Sequence, residues 1–251
     1  HGVLYWPLDC LTECRRLQNR RGKPVCLPSS NGTGPKIFKQ KMDVIDKKGY
    51  IADPERFQGK SLELGCGDRK RHADALGVDI RDFAGVDLVG DAESVLEAIP
   101  TGAISSVYTY HFLEHLTDLE TIITLVARVL STGGRFIAVA PHFSNPYFYS
   151  DPTHRTSFGL YTFSYFSNDR LFRRKVPHYQ KDVFFNLNHV RLTFKSPPPF
   201  YGRYVFKKMA GFFFNLRPYL KEWYEENACH LIPCYEIAYD LTRNDIPVIA
   251  K

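Results

Sequence analysis

Between Ser61 and Ala140 the apolar positions fall in short blocks whose period switches back and forth between that of a strand and that of a helix. Leu62 and Leu64 flank Glu63 and run into Gly65-Cys66-Gly67, the pattern of a short buried strand ending in a tight turn. Leu76–Ile80 and Asp87–Ala92 predict two more strands, each with an acid near its end. Ser94–Ile99 predicts a short helix halted by Pro100, and Ile104–Tyr110 a fourth strand rich in β-formers. Leu119, Ile122, Ile123, Val126, Val129 and Leu130 mark one helical stripe, closed by Gly133-Gly134. Arg135–Ala140 is a fifth strand, stopped by Pro141. Strands alternating with helices predict an α/β, Rossmann-like parallel sheet with right-handed crossovers, whose ligands gather at the C-terminal ends of the strands. Glu63, Asp79 and Asp91 are expected at that edge.

The regular alternation stops at Pro141. A polar, aromatic loop follows over 141–164; Val183–Phe194 and Cys234–Thr242 predict further strands. Between these lies an insertion, about 196–228, in which Phe200, Tyr204, Phe206, Phe212 and Phe214 interleave with Arg203, Lys207, Lys208 and Arg217. It reads as an amphipathic helix or lid, packed on the core or lying through 196–217 on a membrane surface. Residues 1–60 read as a lead-in to a main domain at 61–251. Helices are expected over Leu8–Arg21 and Lys36–Ile51, with a Pro- and Gly-broken loop between them. His1 in place of Met suggests a chain trimmed, tagged or excised from something longer, so targeting signals upstream of it would escape notice. The first residues carry no signal-peptide pattern and no window matches a membrane span, which points to the cytoplasm, with peripheral contact at its membrane as an option.

Charge adds a partner class. The net charge of +6 divides into +6 over 1–60, −6 over 61–164, +10 over 165–221 and −4 over 222–251. Two basic segments around an acidic centre suit an anionic partner; a solvated basic face is the plainer reading. The 6 cysteines in 251 residues do not suggest a disulfide framework. Cys10, Cys14, Cys26, Cys229 and Cys234 lack the tight paired spacing of a zinc site, and no metal is assigned. Asn31-Gly32-Thr33 fits a glycosylation sequon, a triplet that chance often supplies.

Taken in order, the motifs resemble those of class I S-adenosylmethionine-dependent methyltransferases, over Ser61 to about Phe166. Leu62-Glu63-Leu64-Gly65-Cys66-Gly67 looks like that family's first motif, Val78-Asp79-Ile80 the second, and Gly90-Asp91-Ala92 the third. Tyr110-His111-Phe112-Leu113-Glu114-His115-Leu116 and Leu130-Ser131-Thr132-Gly133-Gly134 are similar to the stretches around its fourth and fifth strands. The resemblance implies a mostly parallel sheet of seven strands with an antiparallel edge strand. It also implies adenosylmethionine as cofactor, held by Glu63, Gly65, Cys66, Gly67, Asp79, Ile80, Asp91, Ala92 and Tyr110, with Asp79 on the ribose hydroxyls. A nicotinamide site would need a third glycine, where Asp68-Arg69-Lys70 stands instead. The short first crossover and Asp151-Pro152-Thr153-His154-Arg155 resemble a subset found with polysaccharide biosynthesis, which implies O-methylation of a sugar or glycan intermediate. Methylation of another small molecule at O or N, or a non-catalytic module with this fold, are the alternatives. Nucleic acid is disfavoured, since Tyr110-His111-Phe112 replaces the Asp/Asn-Pro-Pro-Tyr/Phe signature.

Methyl transfer to oxygen needs donor and acceptor in line and removal of the hydroxyl proton, a task suited to histidine near neutral pH. His154 is the first candidate base, with Asp151 orienting it; His111 is the second. His115, His142, Tyr147 and Arg155 are candidate acceptor contacts. The structural alternative is that Asp151-Pro152 shapes a turn and His154 bonds only backbone.

Overall fold

The computed structural model describes residues 43–177 and 182–249, together with Leu17–Gln18 (β1) and Pro24–Val25 (β2). The chain divides into a unit of residues 1–40 and one of 41–251. In the first, β1 and β2 pair antiparallel, so Leu17–Gln18, placed in a helix by the sequence pattern, is extended. The rest of that expected helix, Cys10, Cys14, Cys26 and the Asn31 sequon lie outside the described residues.

Among the described residues, the second unit is built on one sheet of nine strands in the order β3-β6-β5-β4-β7-β8-β11-β10-β9. These are Ile45–Asp46 (β3), Lys60–Leu64 (β4), Leu76–Asp79 (β5), Leu88–Val89 (β6), Ile104–Tyr110 (β7), Leu130–Pro141 (β8), Ser167–Asn168 (β9), Asp182–Thr193 (β10) and Glu236–Ile249 (β11). β6, β5, β4, β7 and β8 run parallel; β3 is an antiparallel edge strand, and β11 lies antiparallel between β8 and β10. The two strands beyond the expected seven, β3 and β9, are two-residue pairings too short to leave a period in the sequence. β3 also replaces part of the helix expected over Lys36–Ile51: Ile45 and Asp46 pair with Val89 and Leu88.

Helices follow the hydrophobic stripes. Ala92–Ala98 (α1) buries Val95 and Leu96, and Leu119–Val129 (α2) buries Ile122, Ile123 and Val126. Asp91 and Asp118 cap them by accepting the backbone N–H of Ser94 and Thr121. Tyr204–Asn215 (α3) and Pro218–Asn227 (α4) form the insertion.

The chain moves from β4 to β5 to β6 in one direction across the sheet, then returns to β7 and β8 in the other. Right-handed crossovers therefore fall on opposite faces. α1 and α2 occupy one face, over fully buried Leu62, Leu64, Val107, Phe136 and Ala138. On the other, residues 65–75 and 80–87 hold no helix, only turns and bends. Register places Glu63, Tyr108, Ile137 and Asp240 in one row on that face, and all but Glu63 are half-buried.

Candidate functional site

The C-terminal ends of β4, β5 and β7 meet at the glycine turn, since Leu64 pairs with both Val78 and Thr109. Gly65 and Gly67 have φ of 65° and 60°. At Gly65 a Cβ would stand 2.6 Å from the Phe112 ring, so the segment after β7 seals that side of the turn. At Gly67 an added Cβ meets nothing within 4 Å, which leaves the backbone open to a ligand. Asp79 closes the turn from below. One carboxylate oxygen accepts the Gly67 N–H and the other the Arg81 N–H, both at 2.9 Å. Each oxygen keeps acceptor capacity for a further donor.

Glu63 works differently from its assigned cofactor role. It is 2% exposed and accepts the Arg71 N–H on both oxygens at 3.0 Å and the His72 N–H at 2.8 Å. It therefore orders the short crossover that stands where a helix would. Held there, His72 stacks on Tyr108 with ring centroids 3.7 Å apart and meets the Tyr110 hydroxyl at 2.8 Å, while the Arg71 guanidinium lies 4.2 Å over the Tyr110 ring. Tyr110 is thus at the site but wrapped by this loop. Cys66 points away, packed with Val86 and Val89, and burial pushes its thiol up to about 12. Ile80 is exposed beside Asp79, and Asp91 and Ala92 start α1. The Asp91 carboxylate is engaged as a helix cap, the turn-acid alternative to an adenine contact.

The second half of the edge follows β7. His111 has a positive φ of 53°, an uncommon conformation for a side-chain-bearing residue. Its Nδ1 lies 3.4 Å from Glu114 Oε1 and its Nε2 2.9 Å from Glu236 Oε1. Those two carboxylates push His111 up to about 9. For Glu236, burial alone would act upward, but His111 and Lys195 bring it down to about 2. With both ring nitrogens facing carboxylates, His111 has no free nitrogen to offer an acceptor hydroxyl. This corrects its place as second candidate base.

The loop after β8 is tied back to the Leu113–His115 turn: the backbone N–H groups of Arg155 and Thr156 donate to the Glu114 carbonyl at 2.7 and 3.1 Å. His115 Nδ1 meets Thr153 Oγ1 at 2.9 Å, and Thr153 Oγ1 donates to Asp151 at 2.6 Å. His154 Nδ1 bonds the Phe148 carbonyl at 2.9 Å, and its Nε2 lies 3.7 Å from Asp151 Oδ2. The His115 and His154 rings meet edge to face, 5.0 Å apart. Asp151 thus shapes the turn by accepting from the Thr153 N–H and hydroxyl, faces His154 directly and is linked to His115 only through Thr153. Arg155 and Tyr147 are exposed on the same loop.

His142 is not an acceptor contact. It is fully buried, accepts the Ser144 N–H on Nδ1, and meets Glu225 of α4 through Nε2 at 3.2 Å. The sequence reading passed over Glu114, Glu236, Thr153 and His72. Glu114 stood inside a quoted motif. Glu236 gave no signal beyond being the polar position between Tyr235 and Ile237.

No protein-family model and no curated protein matches the chain. Solved structures resemble it in fold. A SAM-dependent methyltransferase from Archaeoglobus fulgidus shares 17% identity over 78% of this chain and 94% of its own, with a TM-score of 0.47. The YcgJ protein of Bacillus subtilis shares 15% over 77% and 95%, with a TM-score of 0.44. A methyltransferase of the same SAM-dependent description from Mesorhizobium loti shares 16% over 74% and 92%, with a TM-score of 0.40.

Proposed function

We propose that the chain is an S-adenosylmethionine-dependent O-methyltransferase acting on a sugar or glycan intermediate with an anionic, lipid-linked carrier. The observation that carries the cofactor half is the open Gly67 backbone closed onto the Asp79 carboxylate at the end of the second parallel strand. The acid can accept bonds from a vicinal diol, and the glycine lets the cofactor lie against the backbone. The motif order around Ser61–Phe166 supports this assignment over a nicotinamide. When bound, adenosylmethionine supplies a methyl group on a cationic sulfonium. The chain's part is to hold that group in line with an acceptor beside the His115, His154 and Asp151 cluster.

The carrier half rests on α3. Among its residues only Lys207, Ala210 and Phe214 are buried. Val205, Phe206, Met209, Phe212 and Leu216 are all more than half exposed, on a helix flanked by Arg203 and Arg217. Of the readings made for this segment, core or lid packing fits that face poorly and an anionic bilayer surface fits it well. No helix among the described residues is long and apolar enough to cross a membrane. A cavity of about 600 Å³ between α3 and β10, lined by His189, Arg191, Lys207 and Lys208, gives an anionic head group a place. Peripheral attachment at the cytoplasmic membrane is part of this proposal.

Two measurements test the reading. Tritium from labelled adenosylmethionine should pass to lipid-linked glycan acceptors; transfer only to soluble O or N acceptors would move the substrate class, and binding without transfer would indicate a non-catalytic module. Sedimentation with vesicles containing phosphatidylglycerol should capture the protein, and Phe212→Ser with Met209→Ser should release it. Equal capture by neutral vesicles would remove the anionic term.

A further inference from the structure

Among the described residues, one group has the ligand types and closeness to hold a metal ion: Glu114, His115 and His154. One carboxylate oxygen and one ring nitrogen from each histidine all lie within 4.8 Å of one another. Glu114 is 1% exposed, and its Oε2 has no hydrogen-bond partner. A buried carboxylate oxygen without a donor costs on the order of 1–3 kcal/mol unless something positive reaches it. His111 faces the other oxygen, Oε1.

The two imidazoles carry outer partners of the kind that metal ligands have. In each, Nδ1 is taken by an outer partner: Thr153 Oγ1 for His115, and the Phe148 carbonyl for His154. That leaves Nε2 as the nitrogen each can offer, with Asp151 Oδ2 3.7 Å from that of His154, and it fixes ring and tautomer in the way such outer partners do. Thr153 is in turn held by Asp151. The backbone bonds from Arg155 and Thr156 to the Glu114 carbonyl pin the His154 loop to the Glu114–His115 turn, so the three ligands sit on one braced element. Ligands ~2 Å from a tetrahedral ion stand ~3.3 Å apart, so donors within 4.8 Å of one another would have to draw together on an ion.

We infer that Glu114, His115 and His154 form a site for a divalent first-row transition metal ion such as zinc, with a coordination position left open toward Asp151 and the acceptor side of the sheet edge. Two imidazoles and one carboxylate are a borderline donor set of the kind found in open, catalytic sites, and too poor in oxygen to suit calcium or magnesium. In the methyltransferase reading an ion here would polarise an acceptor oxygen, and His154 would be its ligand rather than the base. Metal binding itself does not depend on that reading; only this role does.

The test uses Co²⁺ as the probe on the full chain without adenosylmethionine. One equivalent should be taken up, with the visible bands of a nitrogen- and oxygen-ligated ion, and Zn²⁺ should displace it. His115→Ala alters an exposed side chain, so the fold should survive, and Co²⁺ affinity should fall at least about 100-fold, beyond the 10- to 100-fold typical of second-shell changes. Glu114→Gln, which keeps the shape and removes the charge, should do the same. Absence of uptake, thiolate charge-transfer bands pointing to the cysteines, or unchanged affinity in folded His115→Ala would each overturn the site. Adenosylmethionine affinity measured on the same variants should be unaffected; its loss in Asp79→Ala alone belongs to the cofactor reading.

Discussion

The two halves of the sheet edge are built from different material. At the glycine turn, Gly67, Arg71, His72 and Arg81 present backbone N–H groups to Asp79 and Glu63. At the histidine half, His111, His115 and His154 are held mainly through side chains, with Glu236 reaching His111 from 125 residues away. A site made of backbone is specified by where glycines and acids fall over some twenty residues. A site made of side chains is specified only once the sheet has brought distant strands together. That is why the glycine turn and its closing acid Asp79 could be located from the sequence, while the partners of Glu63 and of the histidines could not.

The largest expected effect breaks the backbone half. Gly65→Ala combines a left-handed φ, costing ~1–2 kcal/mol, with overpacking against Phe112, typically ~1–3 kcal/mol. Urea denaturation should show the sum, and cofactor binding should be lost. Gly67→Ala, with the same φ but open space, should cost only the first part. Equal losses at both positions would mean the Phe112 seal is unimportant. Next comes Asp79→Ala, expected to weaken adenosylmethionine about 10- to 100-fold, or ~1.4–2.8 kcal/mol, in a calorimetric titration. The same change at His154 should leave that constant in place.

A smaller effect concerns Asp87, which supports the turn from beneath. Burial alone would raise its pKa, but bonds from Lys48, the Gly77 N–H and Lys70 bring it below the ordinary carboxylate value. A depressed folded pKa means the stabilisation is complete above the unfolded value near 4 and is lost as pH falls through the folded one. Acid titration of stability should therefore show a loss below about pH 4 that shrinks in Lys70→Ala. The smallest effect is Arg135→Ala, whose exposed pair with Asp240 at 2.7 Å is worth under ~1 kcal/mol.

What the sequence made legible follows the same division. Ile104–Tyr110 is a strand over the expected residues, and α2 ends one residue early. Both have long runs of one period. Lys36–Ile51 went wrong because β3 is a two-residue pairing whose partner, Leu88–Val89, is more than forty residues on. Glu63 was read as a cofactor residue because its stretch resembles a cofactor motif; that its oxygens go to Arg71 and His72 depends on a crossover without a helix. His142 was read as an acceptor contact from its place after β8, and Glu225, which holds it in the core, lies 83 residues away.

The helix-free crossovers have a kinetic side. β4, β5 and β6 are joined by 65–75 and 80–87, which contribute few buried apolar residues, whereas β8, β10 and β11 share long ladders. Local opening is cheapest where apolar burial is least. The glycine turn therefore lies on the part of the sheet that should breathe first, with amides of Leu76–Asp79 exchanging with solvent sooner than those of Phe136–Ala140. A cofactor that bridges Gly67 and Asp79 would stitch this wing shut, and its arrival should be visible as slowed exchange there before any product is made.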